Sequence, residues 1–378
     1  MQIDMHYHAT FCMAYAAGFT AEDAQQIATA SQFVDDNNSD GRKELEFKDG
    51  SAFYLTATAH HPTNLSNLDD EEQRTVWVPF HFIPGNEGDS YMEKLITTKD
   101  SRISQEIVSH VLDGKPKSYY LQQLGIVSHC YADTFSHYGF SGLASPLNII
   151  NFDSIIKHEL LPHVLEYVEG KEEPFKSKYG HEAKREGHRF VDFVTETIKS
   201  KVANVAALGH GAALTYPDRP YLSWEFYYEV DRVPCTREDD LKHSVRNNPK
   251  TFLEACEKLH AMFSQFISNH SDVPRRHSVM KFDGCHAKIK EIILFQGKAD
   301  ERKQRWLEAF NGGYFGEVAQ PLSPYLGKDW LEELDQAYGQ ETAEWIMSTD
   351  VFKFYQAAEQ HRAFVLRDLL PSHGIAVK

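Results

Sequence analysis

His129-Cys130-Tyr131-Ala132-Asp133-Thr134-Phe135-Ser136-His137 carries three metal-competent side chains at successive intervals of four. On an α-helix four residues advance about 400°, so each lies about 40° round from the last and all three project from one face. The neighbours Leu124, Ile126, Val127, Tyr131 and Phe135 predict a helix buried on several sides. Two imidazoles and a carboxylate buried together are costly unless compensated, and a divalent cation is the usual compensation. The competing reading is a core His–Asp pair with the third side chain at the surface.

Working outward, the patterning predicts a mainly α fold with a small β insertion and extra C-terminal helices. Residues 6–17 and 21–36 read as helices broken at Gly18, with Thr20 and Asp23 in a capping arrangement. Residues 44–47, 52–58 and 75–82 alternate or are rich in β-branched and aromatic residues and read as strands, the first two joined by a Lys48-Asp49-Gly50 turn. From about 100 to 207 the pattern is helical, in three or four long segments. Gly209-His210-Gly211 and Tyr216-Pro217-Asp218-Arg219-Pro220-Tyr221 are loop chemistry, followed by a strand-like run over 224–230. Helices are expected again over 248–270, 278–292, 298–311 and 350–369. The expected division is a helical metal-binding domain over 1–270, its β insertion at about 44–83, and a C-terminal helical extension over 271–378 packed on it, with one single domain as the alternative.

The 378 residues are 42% hydrophobic and 25% charged, the balance of a globular chain. No run of 18 apolar residues occurs, so no transmembrane helix is expected. Met1-Gln2-Ile3-Asp4-Met5-His6 has neither a basic nor an apolar export region, which makes the cytoplasm the expected location. Cys12, Cys130, Cys235, Cys256 and Cys285 never form Cys-x-x-Cys, against a disulfide framework or a thiolate zinc site. A net charge of −16 disfavours long nucleic acid, whose phosphates need Lys and Arg.

Further metal candidates lie apart in the chain. His6 and His8 share one face with Asp4 if that segment is extended, although Asp4 equally suits a helix N-cap. Asp35 and Asp36 end the second helix, where acids oppose the macrodipole and a cation would relieve them. His60 and His61 face opposite sides of a strand end, so one of them points inward; His81 sits in Trp77–Pro84 as a rival. His210 lies between glycines that permit a crowded approach. His188 and Asp192 fall on one helical face, which reads equally as a solvated one. No Walker, dinucleotide-glycine or His-Glu-x-x-His pattern is present.

The ordered set of a histidine before helix one, an acid ending helix two, a histidine in the next irregular segment, His129-x-x-x-Asp133 and a later histidine resembles the zinc-dependent phospholipase C and single-strand nuclease superfamily. His8-Ala9-Thr10, His61 three residues before Asn64, and His137 carry the rest of the likeness, over roughly residues 4–220. More closely, the whole chain resembles a bacterial family of unassigned activity, through its Asp-x-His opening, the Ala132–Gly142 block and the Gly209–Leu222 block.

The resemblance implies a phospholipase C/nuclease-like helical bundle holding two or three zinc ions, with iron or manganese as alternatives. Its implied ligands are His6 or His8, Asp35 or Asp36, His60 or His61, His129, a bridging Asp133, His137, and His188 with Asp192 or else His210. That superfamily takes one zinc ligand from an N-terminal tryptophan, where this chain has Met1-Gln2; one zinc site is therefore absent or rebuilt from Asp4 and His6. The expected function is metal-dependent hydrolysis of a small or lipid phosphoester by metal-activated water. Arg219 is expected to clamp phosphate, and Asp218 to orient a ligand or act as base. The alternative is a non-catalytic interaction module with a closed, structural metal site.

Overall fold

Gly18, at a φ of 119° that residues with a Cβ avoid, ends the first helix and turns the chain into the second. The structure, a computed structural model, describes residues 1–38, 44–60, 67, 69–175, 207–231, 240–318 and 320–377, and among 171–175 the backbone only. Helix α1 (Thr10–Ala17) is entered through a π-helical turn, Asp4–Ala9. Helix α2 (Ala21–Asp36) starts on Thr20, whose hydroxyl accepts the Asp23 N–H at 3.1 Å, the cap expected from the sequence.

Helices α3 (Arg102–Asp113) and α4 (Tyr120–His137) follow. The α4 helix crosses α2 at Gly125, where a Cβ would meet the Ile27 carbonyl oxygen at 2.3 Å and the Ala30 Cβ at 2.6 Å. Only glycine permits that approach. Helix α5 (Pro162–Phe175) comes next, and α6 (Asn248–Asn269), α7 (Phe282–Ile293), α8 (Ala299–Asn311), α9 (Gly327–Ala337) and α10 (Asp350–Ala363) complete a mainly helical fold. The sequence reading missed α9.

The C-terminal helices close the core around α1 and α2. Phe11 and Tyr15 meet Phe310 edge-on, with centroids 5.1 and 4.9 Å away, and Phe33 lies between Trp330 and Phe354 at 5.0 and 4.9 Å. Full burial of such a side chain contributes roughly 1.5–3 kcal/mol. One apolar cluster runs from Met1 to Val377, so residues 271–377 share the core of the helices before them.

Strands β1 (Glu44–Glu46) and β2 (Ala52–Tyr54) form the expected antiparallel hairpin. The third expected strand is a correction: Gln73–Trp77 is π-helical and Val78–Phe80 α-helical. The Asp69 carboxylate accepts the Glu71 and Glu72 N–H groups at 2.9 and 3.0 Å and nucleates this helix, overriding the strand propensity of Thr75, Val76 and Val78. A second sheet pairs β3 (Ile150–His158), β4 (Ser223–Tyr228) and β5 (His243–Asn247), all antiparallel. The β3 strand corrects the all-helical reading of that region. Pairing with β4, whose Trp224 and Phe226 are wholly buried, outweighs its mixed local pattern. Among the described residues no helix is long and apolar enough to cross a membrane.

Candidate metal centre

Helix α4 delivers His129, Asp133 and His137 to one buried face, as their spacing requires. The Asp133 carboxylate is the hub. Its Oδ1 lies 2.7 Å from the Met1 amino nitrogen and 3.1 Å from His6 Nε2. Its Oδ2 lies 3.1 Å from His129 Nε2 and 3.4 Å from His81 Nδ1. Asp35, at the end of α2, brings Oδ1 to 3.8 Å from both His81 Nδ1 and His129 Nε2, and Oδ2 to 3.9 Å from His6 Nε2. On the other side, Asp218 Oδ1 lies 3.2 Å from His137 Nε2 and 3.3 Å from the Met1 amine, and its Oδ2 lies 3.6 Å from His210 Nε2. Three donor groups result, the first two sharing His129: His6, His129 and Asp133; Asp35, His81 and His129; His137, His210 and Asp218.

Backbone carbonyls fix which nitrogen each ring offers. A carbonyl only accepts, so the ring nitrogen facing it carries the proton. His129 Nδ1 donates to Ser31 at 2.8 Å, a contact that the Gly125 crossing makes possible. His81 Nε2 donates to Thr58 at 2.8 Å, His137 Nδ1 to the His81 carbonyl at 3.0 Å, and His210 Nδ1 to Leu214 at 2.7 Å. The opposite nitrogen of every one of these rings therefore faces the carboxylates. Such outer bonds set the tautomer and orientation of metal-binding imidazoles.

Burial and mutual charge perturb the cluster. Burial pushes the His6 imidazole well below its usual pKa, helped by His129 and the amino terminus. Burial also holds His137 at about 4, against the pull of Asp133. For Met1 burial opposes the charge, but Asp133, Asp218 and Asp35 outweigh it and raise the amine to about 11. Burial likewise works against a charged His129, and Asp133 with Asp35 wins, raising it. Burial raises Asp35, which His129 and His81 partly offset. Asp133 is driven low by His137, the amine, His129 and His6 despite its burial.

These residues suit divalent cations. Zinc–nitrogen bonds of 2.0–2.1 Å imply tetrahedral donor separations of roughly 3.3 Å, and the separations above scatter round that value. Both ring nitrogens of His6 are buried without a well-aligned hydrogen bond among the described residues, and a cation on Nε2, the nitrogen that faces Asp133 and Asp35, would remove the deficit there, about 1–3 kcal/mol. The donors reach solvent at Asp35, whose side chain is 32% exposed. It lines a cleft of about 510 Å³ with Asp36, His60, Tyr325 and Lys328.

Residues 1–369, spanning both donor-bearing halves of this centre, match the profile of DUF6765, a family of unknown function. The chain belongs to that family. No curated protein and no solved structure matches it.

Of the residues singled out from the sequence, this DUF6765 member brings His6, Asp35, His129, Asp133, His137, His210 and Asp218 together. His8 is turned aside: its Nδ1 lies 3.3 Å from the Ile3 carbonyl and its ring meets Tyr7 edge-on. Asp36 accepts the Tyr325 hydroxyl at 2.6 Å and sits in the cleft wall, outside the donor groups. His60 faces Glu72 at 3.2 Å, also in that wall. Asp4 rebuilds no metal site, because it pairs with Arg302 at 2.7 Å. The Arg219 guanidinium donates to Thr215 and Tyr221 and lies over the Tyr167 ring. His61, His188 and Asp192 lie outside the described residues.

The sequence reading left His81 as a rival and overlooked the Met1 amine. The acidic run Asp69–Glu72 was the available signal for His81, since it starts the helix that presents it. For Met1 the only hint was the N-terminal ligand of the resembling superfamily.

Proposed function

We propose that this protein is a metal-dependent hydrolase of phosphoester bonds in a small or lipid substrate, on a phospholipase C/nuclease-like helical bundle with zinc as the preferred ion. The observation that carries the reading is Asp133, one carboxylate with donors gathered separately on Oδ1 and Oδ2, as a ligand shared between two cations requires. Asp35, His81 and His129 would hold one ion on the Oδ2 side; the Met1 amine, His137, His210 and Asp218 would hold the other on the Oδ1 side, with His6 at Oδ1 and beside Asp35 within reach of both. When bound, the cations supply Lewis acidity towards a phosphoryl oxygen and lower the pKa of water.

The chain's own residues do the rest. Ser31, Thr58, His81 and Leu214 carbonyls hold the imidazoles in one orientation. The buried donors exclude bulk water, and Asp35 keeps one side of the centre open to the cleft. Lys328, ion-paired with Glu332 at 3.6 Å, lines the cleft beside the acids Asp35 and Asp36. The exposure of Asp35 favours a catalytic over a closed structural site, whose positions would all be filled by protein.

The test is elemental analysis of purified protein with hydrolysis of bis-p-nitrophenyl phosphate before and after chelation. Activity lost to chelator and restored by zinc is expected. Zinc-loaded protein inert towards phosphodiesters, monoesters and phospholipids would overturn the proposal.

A further inference from the structure

Arg302 in α8 is 1% exposed, and its guanidinium reaches across the fold to the N-terminal turn. Its Nε donates to Asp4 Oδ2 at 2.7 Å and its Nη2 to Asp4 Oδ1 at 3.0 Å. Nη2 also donates to the Gln2 side-chain oxygen, and Nη1 to the Gly297 carbonyl at 2.7 Å. Ion pairs buried this deeply cost several kcal/mol of desolvation per charge, and an apolar pair of similar volume often holds a fold as well. Stability alone does not account for the arrangement.

Direction does. The Gln2 carbonyl accepts the Met5 and His6 N–H groups at 2.8 and 3.0 Å, so Gln2 and Asp4 together set the path of the turn. On either side of the gripped pair stand Met1 and His6, the two groups that converge on Oδ1 of Asp133. A planar fork with hydrogen bonds on three nitrogens fixes orientation in a way a point charge does not. We infer that Arg302 is a positioning residue for the metal centre: its fork holds Gln2 and Asp4 and so aims the Met1 amine and the His6 imidazole at Asp133. None of its hydrogen bonds goes to a donor; it acts through the backbone of residues 2–6.

Neighbouring contacts act in the same sense. The Tyr7 hydroxyl donates to the Ser323 and Pro324 carbonyls at 2.8 and 2.9 Å, tying the same turn to the segment before α9. The C-terminal half thus serves as the clasp of a centre whose donors all lie before residue 219.

The inference rests on the proposed metal reading, and the experiment separates the two. Full-length wild type, Arg302→Lys and the double variant Arg302→Met/Asp4→Leu are titrated with Co²⁺ and melted in EDTA. Lysine keeps a charge beside Asp4 but cannot hold Asp4, Gln2 and Gly297 together; the double variant replaces the pair with apolar volume. Both variants are expected to melt within a few degrees of wild type. Their Co²⁺ dissociation constants are expected to rise about 10–100-fold, as when a ligand-orienting group is lost, with a changed visible spectrum. Folded Arg302→Lys with wild-type Co²⁺ affinity and spectrum overturns the inference and leaves the metal reading standing. Cobalt loss that only tracks the unfolded fraction of either variant overturns it too. Wild type that takes up no Co²⁺ overturns the metal reading, and the inference with it.

Discussion

Nε2 of His129 and Nδ1 of His81 lie 3.1 Å apart, and each ring has given its other nitrogen to a backbone carbonyl. When neutral, the two rings point lone pairs at one another and at Oδ2 of Asp133. Only a proton or a cation relieves that repulsion. His81→Ala removes one of the donors, and its metal affinity should fall by more than the ~10–100-fold that loss of an outer partner costs. Elemental analysis after dialysis checks this, with circular dichroism to show that the fold persists; undiminished metal content would exclude His81 as a donor.

Metal should also stabilise the chain. The donors come from the N-terminal turn, α2, residue 81, α4 and the loop at 210–218, so an unfolded chain does not gather them. A ligand at 100 times its dissociation constant that binds only the folded state contributes about 2.7 kcal/mol. Chelation should lower Tm by a few degrees, and stoichiometric Zn²⁺ should restore it. A Tm indifferent to both treatments contradicts the proposal.

Cation binding has to displace protons. The Met1 amine, which Asp133, Asp218 and Asp35 hold at about 11 against its burial, is protonated at neutral pH, and His129 is shifted the same way. Affinity should therefore rise with pH, by about one decade per unit for each proton released. Calorimetric titration in buffers of different ionisation enthalpy counts those protons. A flat profile between pH 6 and 9 would remove the amine from the donor set.

Much of this centre was legible because helical spacing is rigid. His129, Asp133 and His137 had to share a face once α4 formed, and Asp35 at the end of α2 was marked by its opposition to the helix dipole. What stayed hidden depended on tertiary contact. His6 was not separable from His8, since a π-helical turn sends the first inward and the second aside. His81 stood in a run of β-branched and aromatic residues whose strand propensity lost to the Asp69 cap. Asp4 looked like a ligand or an N-cap until Arg302, from a distant helix, claimed it. Neither residue's chemistry encodes that pairing; only the packing of α8 against the N-terminal turn does.

A buried imidazole away from the centre adds to the acid sensitivity that His6 and His137 give the metal-free fold. His361 donates to the Pro79 carbonyl at 2.8 Å, and burial pushes its pKa down to about 4 from 6.5. Between those values the unfolded chain holds a proton that the folded chain does not, so stability rises with pH across the window and is lost as pH falls from 6.5 towards 4. The loss at the bottom of the window is of order 3 kcal/mol. Urea titrations of metal-free protein at pH 7 and pH 4.5 should show it, and His361→Gln should reduce the difference by that share, leaving the share of His6 and His137. An equal pH dependence in the variant would place the acid sensitivity elsewhere.

The closest test of how fold sets site is a single methyl group. Gly125→Ala puts a Cβ 2.3 Å from the Ile27 carbonyl oxygen, and backbone cannot rotate away as a side chain does. Helices α2 and α4 must separate, at a cost of about 1–3 kcal/mol for overpacking, which exceeds the gain of up to ~1 kcal/mol in helix propensity. The separation also draws the Ser31 carbonyl from His129 Nδ1, now 2.8 Å away, and frees the ring to turn. Gly170→Ala is the control: it lies within α5 with nothing within 4 Å of a new Cβ, so the same substitution should be neutral or stabilising there. Urea midpoints and zinc affinities of the two variants give the comparison. Gly125→Ala should lose on both measures, and a Gly125→Ala protein as stable as wild type would mean that the α2–α4 contact does not hold His129 in place.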